Sequence, residues 1–127
     1  MAKKIFTILL FALFSFNTQG QIIKMRTTEA SHKIGEGNWS NWEKFETLVI
    51  VNGDLKNITI YSEPKEVYEI ISKKDPNKEL GIVVSFNCVD KEGEECIVEI
   101  RNDEQKKLYQ LYIRYDNAIM AINLNPI

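Results

Sequence analysis

At 127 residues the chain is long enough for one domain with a modest core, and 44% apolar with 27% charged residues is the composition of a folded globular protein rather than a disordered one. Sixteen lysines and arginines against eighteen aspartates and glutamates leave a formal charge of −2. That acidic balance argues against nucleic acid and against anionic membrane surfaces as partners, because both select cationic faces.

Residues 1–20 read as an export signal. Lys3 and Lys4 form a charged start, and 5–16 an apolar run too short to span a bilayer comfortably. Thr18 and Gly20 are small residues placed for cleavage ahead of Gln21. The expected mature chain is 21–127, a single β domain that is secreted or periplasmic and does not insert in a membrane. Loss of two lysines takes its charge to −4.

In residues 21–33, Ile23, Met25 and Thr27 alternate with Ile22, Lys24, Arg26 and Thr28, which suits a strand with a weak inward face. Gly35-Glu36-Gly37 is a loop, and Trp39 and Trp42 follow it. The stretch 45–51 is β-branched and apolar, which is strand chemistry. Asn52-Gly53 is a hairpin signal because both residues tolerate positive φ. The returning strand is 55–61, with Ile58 and Ile60 on one side and Asn57, Thr59 and Tyr61 on the other. Residues 62–74 carry two patterns. A Ser62 cap, Glu63 and Pro64 in a first turn, and Lys73 and Lys74 at the end suit one short helix at 63–74. The residue types of 67–72, and the strands on either side, suit a strand, which is the preferred reading. Asp75-Pro76-Asn77 is a loop.

The chain is organised around its central hairpin. Asp90-Lys91-Glu92-Gly93 is a type I turn with Gly93 as the positive-φ bulge residue. Such a loop pairs Asp90 with Glu94, Val89 with Glu95 and Cys88 with Cys96. It gathers Ile82, Val84, Phe86, Cys88, Cys96, Val98 and Ile100 on one face, taken as core. Directly opposed residues have Cα atoms about 4.5–5.5 Å apart, within the reach of a disulfide. A Cys88–Cys96 disulfide is therefore expected in an exported chain. After a polar connection at 102–106, Asp116-Asn117 joins 108–115 to 118–124. A two-residue turn pairs Tyr115 with Ala118, Ile113 with Met120, Leu111 with Ile122 and Tyr109 with Leu124, all inward, and a slip of one residue would bury polar groups. The outward face holds Gln110, Tyr112 and Arg114 against Asn123, Ala121 and Ile119, with Ala121 expected to meet water beside Tyr112. Short strands at regular spacing with tight turns give the fold class: all-β, a small antiparallel meander closing into a barrel or barrel-like sandwich of about seven or eight strands.

Nothing in the chain assembles a catalytic set. His32, the one histidine, has no recognisable orienting partner or nucleophile, and reads as a solvated side chain. No nucleophile elbow and no phosphate-binding glycine loop occurs. The two cysteines are too widely spaced, and too far from histidine, for zinc. Asp90, Glu92, Glu94 and Glu95 crowd one turn without the ligand spacing of a calcium loop. No metal and no cofactor are expected. Asn38-Trp39-Ser40 and Asn57-Ile58-Thr59 fit the glycosylation acceptor pattern.

Gly37-Asn38-Trp39 resembles the Gly-x-Trp that opens the first strand of lipocalin-type barrels, a three-residue match in a chain short for that family. The resemblance implies a calycin-like carrier of a small hydrophobic ligand. The inward residues are large, however, which suits a mostly filled interior. The candidate binding surface is Tyr112, Ile119 and Ala121 with Trp39 and Trp42, with Tyr61 and Val83 as further neighbours; the two tryptophans also suit plugs at one end of a barrel. The reading that follows is a secreted binding module without catalytic activity, its partner a protein, a glycan or a small hydrophobic ligand. The alternatives are the carrier and an inhibitor of a secreted enzyme.

Overall fold

The computed structural model describes residues 22–75, 77, 79, 81–103, 105 and 107–126. The expected export signal, Gln21 and Pro76 of the 75–77 loop lie outside them. Among the described residues the chain forms nine strands: β1 (Ile22–Ile34), β2 (Glu43–Lys44), β3 (Leu48–Asn52), β4 (Asn57–Ile60), β5 (Glu66–Lys74), β6 (Ile82–Val89), β7 (Glu95–Asp103), β8 (Leu108–Arg114) and β9 (Ala118–Pro126). β3 to β9 form an antiparallel meander. β1 pairs with β3 on one edge and β9 on the other, closing an eight-stranded barrel, and β2 lies outside it against β1. Residues 66–74 are a strand because β4 and β6 both need them: a helix there would leave two unpaired edges and an open sheet.

Alternation fills the interior. Phe86, Met25, Ile58, Ile100, Leu111, Ile113, Ile122 and Leu124 are fully buried, and with their neighbours form one cluster. The thirteen residues of β1 serve both partners by means of a bulge between Thr27 and Ala30. Thr27 holds the irregular stretch that separates β2 from β3. Its N–H donates to the Thr47 carbonyl at 2.9 Å, its hydroxyl donates to the Phe45 carbonyl, and the Thr47 N–H donates to its Oγ1 at 2.8 Å. The expected single strand over 45–51 therefore begins only at Leu48.

Both C-terminal hairpins have the expected register. Cys88 stands opposite Cys96, the Asp90 N–H donates to the Glu94 carbonyl at 2.9 Å, and Gly93 has φ +82°. Tyr109, Leu111 and Ile113 oppose Leu124, Ile122 and Met120, and the Tyr115 N–H donates to the Ala118 carbonyl at 2.8 Å.

Three expectations are corrected. The first is the disulfide: Cys88 and Cys96 are buried free thiols. The Asp90–Glu94 hydrogen bond sets the phase of the ladder, so two residues on, Cys88 and Cys96 occupy a hydrogen-bonded pair. Side chains diverge there, with Cβ atoms about 5.5 Å apart rather than the 3.5–4.5 Å a disulfide uses. The second is a detail of the Asn52-Gly53 hairpin, which forms where expected. The loop has four residues, 53–56, with Asn52 paired to Asn57 and positive φ at Lys56 instead of Gly53. This register opposes Val51 to Ile58 and Val49 to Ile60, whereas a two-residue turn would oppose Val51 to Asp54. The third concerns β9. The pleat is as expected, but Ala121 is 1% exposed and Met120 40% exposed. Ala121 points outward and is covered from outside, while Met120 lies beside exposed His32 where β1 and β9 run out at the barrel mouth.

Candidate functional site: an aromatic groove on the outer wall

Antiparallel pairing lines outward residues up in rows across the strands. One row runs Ser85, Glu99, Tyr112, Ala121, Ser31 over β6, β7, β8, β9 and β1. The next holds Arg101, Gln110 and Asn123. The small side chains of Ala121 and Ser31 leave a dip in the first row.

The chain after β1 folds back over that dip. Gly35, at φ +57°, starts the reversal and its N–H donates to the Asn117 carbonyl at 2.6 Å. Only a residue without Cβ adopts that backbone conformation cheaply. The Ser40 N–H then donates to the His32 carbonyl at 2.8 Å, the Ser31 hydroxyl to the Ser40 carbonyl at 2.7 Å, and the His32 N–H to Ser40 Oγ at 3.0 Å. This clasp sets Trp39 and Trp42 on the outside of the wall. Trp39 meets the Tyr112 ring edge-on, with centroids 6.2 Å apart and planes at 80°. The Arg101 guanidinium lies over the Tyr112 ring, 3.9 Å from its centre, and pairs with Glu99 at 2.9 Å. Arg114 approaches the same carboxylate at 3.9 Å. The Gln110 amide donates to Asn123 at 3.0 Å.

The result is a recess of about 270 Å³ lined by Ser31, Trp39, Trp42, Asp103, Gln110, Tyr112 and Ala121. Trp39 and Trp42 remain 42% and 39% exposed. Neither is a plug at the barrel end. Four of the five residues singled out from the sequence meet in this groove. Ile119 stands one row nearer the mouth, paired with Arg114 and Lys33, outside the lining. Tyr61 is exposed on the β4–β5 connection under Lys65, and Val83 is a bulge residue of β6; neither lines the groove. Sequence reasoning did not select Ser31, Asp103, Gln110 or Arg101 for the site: Ser31 arrives only through the β1–β9 closure, Arg101 and Asp103 through the β7–β8 register, and Gln110 read only as an outward polar neighbour of Tyr112.

A second cluster ties the 90–94 turn to the 115–118 turn at the barrel mouth. The Tyr115 hydroxyl donates to Asp90 at 2.8 Å, and the other carboxylate oxygen of Asp90 accepts the Glu92 and Glu94 N–H groups at 3.0 and 2.9 Å. The Glu94 N–H first, and the Tyr115 hydroxyl next, hold the Asp90 carboxyl below the usual carboxylate range. Burial pushes the Tyr68 and Tyr115 hydroxyls upward, Cys88 up to about 12 and Cys96 up to about 11. These thiols are protonated at neutral pH and make poor nucleophiles. A wider depression of about 510 Å³ lies on the neighbouring wall, lined among others by Ile71, Asn87, Ile97 and Arg114. Its one aromatic among the described residues, Tyr115, is already committed to Asp90. No group of three histidine, cysteine, aspartate or glutamate side chains able to hold a metal occurs among the described residues. No protein-family model, curated protein or solved structure matches the chain.

Proposed function

We propose that the chain is an exported, non-catalytic binding module that engages its partner through the outer-wall groove. One observation carries the reading. Trp39 and Trp42, and Tyr112 from a distant part of the sequence, converge on one recess and stay partly exposed there. Aromatic side chains held part-open on a rigid scaffold offer large contact area at little cost in conformational entropy, which is the chemistry of recognition surfaces. The carrier reading has less support, because the interior where a ligand would sit is occupied by Phe86, Met25 and the aliphatic side chains around them.

The test is tryptophan emission. Purified protein is titrated with protein and polysaccharide fractions from the extracellular medium. The expected result is an emission shift with one fraction that is retained in Leu55→Ala, an exposed change away from the groove, and lost in Trp39→Ala with Tyr112→Ala. Binding that survives the double change places the functional surface elsewhere.

A further inference from the structure

We infer that the groove takes a neutral sugar ring belonging to a glycan chain. This rests on the groove being the binding surface, and adds the class of ligand. A pyranose presents flat C–H faces and a rim of hydroxyls that both donate and accept hydrogen bonds. The groove matches both halves of that chemistry. Its lining includes both indoles, with Trp39 standing nearly perpendicular to Tyr112. Its floor carries the Ser31 hydroxyl, bonded to Ser40, and the Gln110 amide, bonded to Asn123, with the Asp103 carboxylate also in the lining. A sugar hydroxyl can add to such groups as donor or acceptor, which a purely apolar ligand cannot.

Charge narrows the class. Arg101 and Arg114 face Glu99, and Arg101 also lies on the Tyr112 ring, with its Nε–H buried and unpaired. Among the described residues the lining itself holds one charged side chain, the Asp103 carboxylate, and no cation, which disfavours a phosphate, a sulfate or a uronate. Size suits a small ring: at about 270 Å³ the recess lies just under the usual range of small-ligand pockets, about 300–1,000 Å³. Other exposed apolar side chains, such as Leu55 and Ile71, lie apart from it on the β3–β4 loop and on β5. The recess crosses β1, β9, β8 and β7, a path along which a linear oligosaccharide would lie.

The experiment uses the secreted protein with a panel of neutral gluco-, manno-, galacto- and xylo-oligosaccharides, followed by calorimetry and tryptophan emission. Oligouronates and sulfated oligosaccharides form a second arm, and a protein fraction stripped of glycans a third. The expected result is binding to at least one neutral oligomer, unchanged by added salt, with a shift in tryptophan emission. Trp39→Ala or Trp42→Ala should weaken it about tenfold, the loss of one stacked aromatic face. Trp39→Phe should recover part of the loss, which separates stacking from collapse of the 35–42 segment. Silence from every neutral oligomer overturns the inference, as does salt-sensitive binding confined to the acidic arm. Trp39-dependent binding of the stripped proteins alone overturns the glycan but keeps the groove as the binding surface. Binding indifferent to Trp39 and Trp42 removes both.

Discussion

Replacing Ala121 with aspartate puts a carboxylate on the groove floor, at a position 1% exposed, between Tyr112 on β8 and Ser31 on β1. Burial of this kind raises a carboxyl by about two pKa units, or about 2.7 kcal/mol at neutral pH. Lifting Trp39 off Tyr112 forfeits about 1 kcal/mol more of aromatic contact. Together these come to about 3–4 kcal/mol, a fall in melting temperature of roughly 12–25 °C for a domain this size. Met120→Asp, one residue away, should cost far less. Met120 is already 40% exposed, so only part of a methionine's burial is lost, about 1–1.5 kcal/mol, and the new carboxylate reaches water at the mouth. Thermal and urea unfolding at pH 7 measure both. The penalty at 121 should also shrink between pH 7 and pH 4. A carboxyl whose folded pKa is raised favours the folded state at low pH and loses that contribution as pH rises. Ala121→Asn keeps the bulk without the charge and should fall between wild type and Ala121→Asp. Equal midpoints for the two aspartate variants, or a worse result for Met120→Asp, would refute the placement of residues 38–42 over β9.

The cysteines should resist iodoacetamide at pH 8 in the folded protein and take up two equivalents in urea without reductant; a species that needs reductant first would mean a disulfide after all. Because burial pushes both thiols above their ordinary value, they support the fold below about pH 9, and that contribution should fade as pH rises toward 11–12. Asp90→Ala removes the acceptor of the Tyr115 hydroxyl and of two turn N–H groups, at a cost of about 1–3 kcal/mol in urea unfolding. The depressed Asp90 carboxyl contributes stability above the usual carboxylate range and loses it as pH falls through its own lower value, so Asp90→Asn should flatten the acid limb of the stability profile. Gly81→Ala should be worse than Gly93→Ala in the same assay. Both residues have positive φ, but a Cβ on Gly81 would stand 3.0 Å from the Asn102 carbonyl oxygen and one on Gly93 would meet nothing.

The two C-terminal hairpins were legible because a short loop and strict alternation admit one register between them: any slip turns Leu111 and Ile122 outward. The 52–57 turn misled because a local preference, Asn-Gly for positive φ, competes with cross-strand apolar pairs, and the pairs Val51–Ile58 and Val49–Ile60 outweigh it. The same limit governs the site. Alternation says which way a side chain points and nothing about what lies on top of it. Ala121 points outward and is buried because Gly35 and the Ser31–Ser40 clasp bring a segment some eighty residues earlier in the chain across it. Met120 points inward and is exposed because β1, its partner through His32, runs on past its pairing with β3 and leaves the barrel mouth open there. A closed barrel with a packed interior has its mouths and its outer wall left to bind with. At the Asp90 end, Tyr115 is spent on Asp90 and the turn. Among the described residues, it is where 35–42 cross the wall that three aromatic rings stand over a floor of alanine and serine. The clasp is thus the step that turns a generic barrel surface into a site. Ser31→Ala with Ser40→Ala removes its side-chain bonds and leaves the Ser40 N–H to His32 bond, so the double change should loosen Trp39 from Tyr112, seen as a red shift of tryptophan emission, while the strand pairing of the barrel stays intact by far-UV circular dichroism.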